Sequence, residues 1–292
     1  MSKYSKIYFL GIGGIGMSAI ARYYKFKGYP VAGYDRTQSE LTLELEKEGI
    51  DIHYKDDPDY IPKDVASTLV VYTPAIPEDL QEFVYVKEHG YTLVKRSRML
   101  GELAEGQTCL AVAGTHGKTT TSTLVAHILT ESGKGCSAFL GGISKNYNTN
   151  LLTSHTPTIV AEADEFDRSF LQLHPAIAAI TSMDADHLDI YGTLQEYRKA
   201  FKAFASQVSR TLIVKQGLDI TPEDTKARIL HYSYDDPAAD YHAVNPRPDE
   251  VGHYIFDLVY PGGTIGGIRV GIPGWINVEN SVAAAAVCLN HG

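Results

Sequence analysis

The chain has 292 residues, of which 44% are hydrophobic and 21% charged, and a formal net charge of −9. That length suits roughly two domains with separate cores, and the composition excludes a disordered chain. The negative charge argues against a nucleic-acid or anionic-membrane binder, so an anionic ligand has to be met by locally placed cations or backbone amides.

The first predicted strand, Ile7–Leu10, runs into Gly11-Ile12-Gly13-Gly14-Ile15-Gly16, and a helical segment follows. Gly11, Gly13 and Gly16 spell G-x-G-x-x-G. Asp35 stands about 20 residues on, after a second strand, Val31–Tyr34, where an NAD enzyme holds its ribose. A helix Leu41–Glu48, strands Ile50–His53 and Leu69–Tyr72, a helix Glu78–His89 and a strand Thr92–Val94 come next. Both helices end at a glycine, and the rhythm predicts a parallel sheet with crossover helices. After a helix Arg98–Ala104, the stretch Glu105-Gly106-Gln107 marks the expected boundary between domains 1–106 and 107–292.

The second domain opens with a strand, Cys109–Ala113, a turn Gly114-Thr115-His116-Gly117-Lys118-Thr119, and a helix from Thr120. Backbone amides of a glycine turn and the positive end of the next helix surround phosphate oxygens. A lysine adds charge at the β/γ-phosphates and a threonine hydroxyl is placed for Mg²⁺, so Lys118 and Thr119 take those roles on an exposed loop. The first glycine of the usual P-loop pattern is replaced by Val112. A plain glycine turn is the competing reading, and the strand, lysine, paired threonines and helix in succession outweigh it. A phosphate loop here also changes the reading of GIGGIG. A dehydrogenase needs no second phosphate loop, so the first motif is better suited to the diphosphate of a nucleotide-linked substrate.

Two acidic clusters follow predicted strands: Glu162-Ala163-Asp164-Glu165-Phe166-Asp167 after Thr158–Ala161, and Ser182-Met183-Asp184-Ala185-Asp186-His187-Leu188-Asp189 after Ala176–Thr181. Ligand chemistry gathers beyond the carboxyl ends of such strands, and hard oxygen donors there suit Mg²⁺, with His187 completing a site. The alternative is a solvated acidic loop. Thr193-Leu194-Gln195-Glu196 reads as a capping box, and Leu194, Tyr197, Phe201, Phe204 and Val208 as one buried helical face. Tyr241–Val244, Tyr254–Tyr260 and Thr264–Ile272, separated by Pro/Gly turns, read as antiparallel strands, and Asn280–Leu289 as a final helix. The fold class expected is α/β: a Rossmann-like parallel-sheet domain, then a P-loop ATPase-type domain with some antiparallel strands. Cys109, Cys136 and Cys288, odd in number and scattered, fit buried thiols in a reducing compartment. The start Met1-Ser2-Lys3-Tyr4 carries no secretory signal, and no apolar run reaches membrane length. A soluble cytoplasmic protein without membrane insertion is the expectation.

GIGGIGMSAIA, AVAGTHGKTTT, AEADEFDRSFLQLHP and SMDADHLDIYG, in this order, resemble the Mur ligases of peptidoglycan synthesis over essentially the whole chain. The resemblance is greatest to the alanine-adding branch. It implies ATP-dependent joining of L-alanine to UDP-N-acetylmuramate through an acyl phosphate. It further implies that Gly114, Thr115, His116, Gly117, Lys118, Thr119 and Thr120 form the ATP loop, with Lys118, Glu162 and His187 catalytic. Thr119, Glu162 and His187 would hold Mg²⁺, and Asn280 would contact adenine. Gly11, Gly13, Gly14, Ile15, Gly16 and Asp35 would then face the UDP-sugar, with Thr73, Pro74 and Ala75 beside the uridine. Three departures stand out. Phe201 occupies the place of the carbamylated lysine of other branches, as the alanine-adding branch implies. Ile276 replaces the histidine of a His-Asn-x-x-Asn run. The chain ends at Gly292, where the family continues into a C-terminal domain, so a two-domain piece inactive on its own is expected. A ligase that recycles intact peptides onto UDP-N-acetylmuramate and a nucleotide-binding module without ligation are the alternatives.

Overall fold

Residues 3–186 and 188–292 are described in the computed structural model. The chain divides into one unit of Met1–Leu103 with Phe139–Thr153, and another of Ala104–Ala138 with Ser154–Gly292.

The first unit is built from β1 (Lys6–Leu10), α1 (Ile15–Phe26), β2 (Val31–Tyr34), α2 (Glu40–Lys47), β3 (Asp51–His53), β4 (Thr68–Tyr72), α3 (Gln81–Glu88), β5 (Thr92–Lys95) and α4 (Arg96–Ala104). Its sheet has the order β3-β2-β1-β4-β5 with every pair parallel. Ile7, Tyr8, Phe9 and Leu10 of the central β1 are all buried, the near-continuous apolar run that a strand covered on both faces requires. The chain leaves β1 for β2 on one side and returns to β4 on the other. That switch of direction opens a crevice beyond the carboxyl ends of β1 and β4, where Gly11 and Thr73 stand. Asn150 belongs to this unit as well. Its amide donates to Ile15 O at 2.6 Å and to Ser18 Oγ at 2.8 Å on the first turn of α1.

The remaining elements are β6 (Thr108–Ala113), α5 (Lys118–Glu131), β7 (Ser137–Ser144), β8 (Thr149–Leu152), β9 (Thr158–Ala163), β10 (Ile177–Ile180), α6 (Leu188–Tyr191), α7 (Leu194–Ser206), β11 (Thr211–Lys215), β12 (Arg228–Ser233), β13 (Tyr241–Pro248), β14 (Tyr254–Tyr260), β15 (Gly263–Arg269) and α8 (Ile276–His291). The second sheet runs β15-β14-β13-β12-β11-β10-β6-β9-β7-β8. From β9 through β6, β10 and β11 to β12 the pairing is parallel, and β13, β14 and β15 pair antiparallel. The α/β class and the antiparallel addition agree with the sequence reading.

Several local expectations are corrected. β7 and β8 have no counterpart in the sequence reading; Asn148, just before β8, stands at φ 51°. The capping box at the start of α7 is half made. Thr193 accepts from Glu196 N at 3.2 Å, but the Glu196 carboxylate turns out to Lys199 at 2.6 Å. Leu194 is exposed at the edge of the α7 stripe, whose other members Tyr197, Phe201, Phe204 and Val208 are buried. The three cysteines are free thiols. Burial pushes Cys109 and Cys288 up to about 12 and Cys136 to about 11, so none is a ready nucleophile. Among the described residues, no helix is long and apolar enough to cross a membrane.

Candidate functional site

In the first unit, a cleft of about 510 Å³ opens over the glycine loop. Gly11, Gly14, Gly16, Asp35, Thr73 and Ala75 line it, while Gly13, Ile15 and Pro74 do not stand on its wall. Gly11 has φ 84°, a conformation that favours glycine, and any side chain there would press on the Thr73 methyl. Asp35 braces the loop as well as lining the cleft. Its Oδ2 accepts from Gly13 N at 2.7 Å. Arg36, Thr37 and Arg96 also line the cleft, and sequence reasoning missed all three. A Cβ on Gly16 would lie 2.9 Å from the Arg96 guanidinium, which places that cation over the N-terminus of α1. The positive helix end, the loop amides and the arginine together suit an anion.

Behind this cleft lies a buried polar cluster. Asp56, on the cleft wall, accepts from Gln81 N and Glu82 N and so caps α3. Glu82, fully buried, accepts from Tyr8 Oη at 2.5 Å and from Asp57 N at 3.2 Å. Tyr8 Oη is also 2.7 Å from His53 Nε2. Burial pushes Glu82 up to about 7 and His53 below its ordinary value. Tyr8 is raised by burial and by the Glu82 carboxyl.

In the second unit, three adjacent parallel strands end at one place. β6 leads into the Gly114–Lys118 turn, β9 carries Glu162 as its penultimate residue, and β10 runs into Thr181 and Ser182. Thr181 Oγ1 donates to His116 O at 2.5 Å, and Ser182 Oγ accepts from His116 N at 2.8 Å. The loop is pinned from its neighbouring strand. Gly114 (φ 138°) touches Thr181 so closely that a Cβ there would overlap its hydroxyl, and Gly117 takes φ 83°. Val112, where the usual pattern has glycine, is buried inside β6, so the turn is shorter and starts at Gly114. α5 begins at Lys118, two residues earlier than the sequence reading had it.

Thr119 Oγ1 donates to Glu162 Oε1 at 3.0 Å, which joins two of the three expected metal ligands; His187 lies outside the described residues. A hydroxyl and a carboxylate of this kind are hard donors that fit Mg²⁺. No group of three or more His, Cys, Asp or Glu side chains that could hold a metal occurs among the described residues. Lys118 is not the exposed loop lysine the sequence leads one to expect. Its Nζ donates to Gly114 O at 2.7 Å and pairs with Glu165 Oε2 at 2.8 Å. Glu165 is 1% exposed, and it sits three residues past Glu162 in the same acidic run. Asp167 and Arg168 follow it at φ 52° and 55°, two left-handed residues in succession and a strained backbone for non-glycines. Thr115 Oγ1 lies 2.8 Å from Tyr197 Oη, whose hydroxyl burial pushes up to about 12. Asn280, on α8, reaches the same loop: a Cβ on Gly117 would lie 2.7 Å from its Oδ1, and it accepts from Thr121 Oγ1 at 3.4 Å.

The Mur ligase middle domain model matches residues 112–288, and the Mur ligase catalytic domain model residues 6–108. The chain is 50% identical to the UDP-N-acetylmuramate–L-alanine ligase of Porphyromonas gingivalis over 98% of its own length and 64% of that protein's. It therefore spans somewhat under two thirds of this relative. The crystal structure of the UDP-N-acetylmuramate–alanine ligase of Thermotoga maritima matches 98% of the chain and covers 65% of that structure's chain, with a TM-score of 0.85 at 28% identity. A Neisseria meningitides ligase for UDP-N-acetylmuramate and L-alanyl-γ-D-glutamyl-meso-diaminopimelate has a TM-score of 0.86 at 23% identity, covering 99% of this chain and 94% of its own. That likeness speaks for the fold alone.

Proposed function

The chain belongs to the Mur ligase family, and we propose that it supplies the UDP-sugar-binding and ATP-binding parts of a UDP-N-acetylmuramate–L-alanine ligase. The 50% identity to the P. gingivalis enzyme supports this substrate pair. In the reaction, a sugar carboxylate oxygen attacks the γ-phosphorus of ATP and ADP leaves. The alanine amine then attacks the acyl carbon, phosphate departs, and an amide remains.

Each unit has a defined share of that chemistry. The diphosphate of the UDP-sugar takes the amides of Gly11–Gly16, the α1 N-terminus and the Arg96 guanidinium, with Thr73 and Ala75 beside the nucleoside. The triphosphate takes the amides of Gly114–Lys118 and the Lys118 ammonium, which exchanges Glu165 for phosphate oxygens. Thr119 and Glu162 are the described residues that would hold Mg²⁺, which when bound neutralises charge on the transferring phosphoryl group. Asp35 keeps the glycine loop in its binding shape.

The observation that carries the proposal is the meeting of the Gly114–Lys118 turn, Thr119, Glu162 and the pinning Thr181 and Ser182 at three adjacent strand ends. Selective ligands stabilise a fold by mass action, which gives the test. UDP-N-acetylmuramate and Mg²⁺-ATP are each expected to raise the Tm of this chain, and NADH to leave it unchanged. Stabilisation by NADH without any from the UDP-sugar would return the first unit to a dinucleotide site.

A further inference from the structure

We infer that Tyr197 is a positioning residue for the nucleotide phosphates: its hydroxyl, acting through Thr115, holds the Gly114–Lys118 turn in its binding shape. The inference rests on that turn being a nucleotide phosphate site, as proposed above. Tyr197 stands on α7 and is fully buried. Its ring packs edge-on against Tyr191, at 4.9 Å between centroids and 86° between planes, and against Phe201 at 5.1 Å. Phe201 and Phe204 fill the same buried face of α7 with no hydroxyl at all. A third phenylalanine would serve that packing equally well, and a buried hydroxyl costs free energy unless it is bonded. The Tyr197 hydroxyl finds its bond on the turn, 2.8 Å from Thr115 Oγ1.

The direction of that bond follows from its neighbour. Thr115 has one hydroxyl proton, and its Oγ1 donates it to Asp184 O at 2.9 Å. A carbonyl can only accept, so the Tyr197 O–H is the donor to Thr115 Oγ1. Burial pushes this hydroxyl up to about 12, and it keeps its proton at neutral pH. The relay from Tyr197 through Thr115 to Asp184 O ties the first threonine of the turn to the acidic run after β10. Tyr191 makes the matching bond to the other run. Its Oη donates at 2.5 Å to the backbone oxygen of Glu165, whose carboxylate pairs with Lys118. The two touching rings therefore join the turn to both acidic runs. Amides that are aimed before the ligand arrives need no ordering when it binds.

The test uses the whole 292-residue chain with ATP and inorganic tripolyphosphate as probes, each with Mg²⁺. Tyr197→Phe removes the hydroxyl and keeps the ring. In calorimetry, at a temperature where parent and variant are both folded, it is expected to weaken both probes by the same factor. That factor is about fivefold, the worth of one hydrogen bond. Thr115→Val is expected to lose at least as much, and Tyr197→Phe added to it to lose nothing further. Thr115→Ser keeps the hydroxyl and should bind like the parent. A tyrosine that only fills the core would lower the Tm in Tyr197→Phe and leave both affinities as they were, and that result overturns the inference. A loss confined to ATP, or independent losses in the double variant, overturns it too. Failure of the unsubstituted chain to bind either probe overturns the phosphate-loop reading and this inference with it.

Discussion

A lysine in a phosphate loop is usually discussed for the charge it gives the ligand, and here it also supports the fold. Glu165 is a buried carboxylate whose charge is met by Lys118 Nζ at 2.8 Å. Removing one member of a buried ion pair takes a charge partner from the other, at up to about 3–5 kcal/mol. Lys118→Ala is therefore expected to lose stability of that order in urea unfolding as well as affinity for ATP. The pair Lys118→Met with Glu165→Gln removes both charges together and should regain most of the stability while still binding ATP poorly. If Lys118→Ala unfolds at the same urea concentration as the parent, the ion pair is not holding the loop.

At the scale of elements, what the sequence made legible was whatever one local stretch encodes. The glycine turn after β6, the strands feeding the acidic runs and the α/β rhythm are all local patterns, and they stand in the structure. What it hid is assembled from distant segments. Arg96 reaches the GIGGIG loop from the junction of β5 and α4, and no motif near residue 16 announces it. Glu165 is one acid among several in its run until Lys118 closes on it. The start of α8 was missed because Trp275 supplies no side-chain cap to mark it. The same division applies to the glycines, since motif position does not tell which of them the fold requires. Gly114 combines φ 138° with contact against Thr181 and the Ser182 amide, whereas Gly14 has φ −66° and nothing closer than 3.8 Å to a built Cβ. Gly114→Ala is thus expected to deform the turn and abolish ATP binding. Gly14→Ala should fold with a loss of no more than about 1 kcal/mol, the usual cost of alanine at a helix N-cap. Thermal unfolding and ATP calorimetry on the two variants check this, and an unimpaired Gly114→Ala would show that the turn has more room than these contacts allow.

For the molecule as a whole, pH acts through groups of opposite sign. The carboxylates pulled below their ordinary values, such as Asp224, Asp249 and Asp257, contribute stability that is lost only as pH falls through the acid range. His53 and His291 are pushed down by burial, so their contribution is present above the ordinary histidine range and fades below it. Glu82 has the opposite sign. Its carboxyl titrates at 4.5 in the unfolded chain and at about 7 in the fold, so between those values the folded state binds more protons and stability falls as pH rises. The difference amounts to about 3 kcal/mol once pH exceeds 7. The geometry explains which form is preferred. In the ionised form Glu82 accepts from Tyr8 Oη; on protonation that bond can reverse, Glu82 donating to Tyr8 Oη, Tyr8 to His53 Nε2, and His53 Nδ1 to Lys55 O at 2.9 Å. Every member of that chain is neutral, and no charge is left without water. A glutamine at 82 reproduces the arrangement, with its amide N–H donating to Tyr8 and its carbonyl accepting from Asp57 N. Glu82→Gln is therefore expected to match the parent in urea unfolding near pH 5 and to exceed it by about 3 kcal/mol at pH 8. The comparison between the two chains cancels the histidine contributions. A constant difference across that range would mean that another group carries the titration and that Glu82 is charged in the fold throughout.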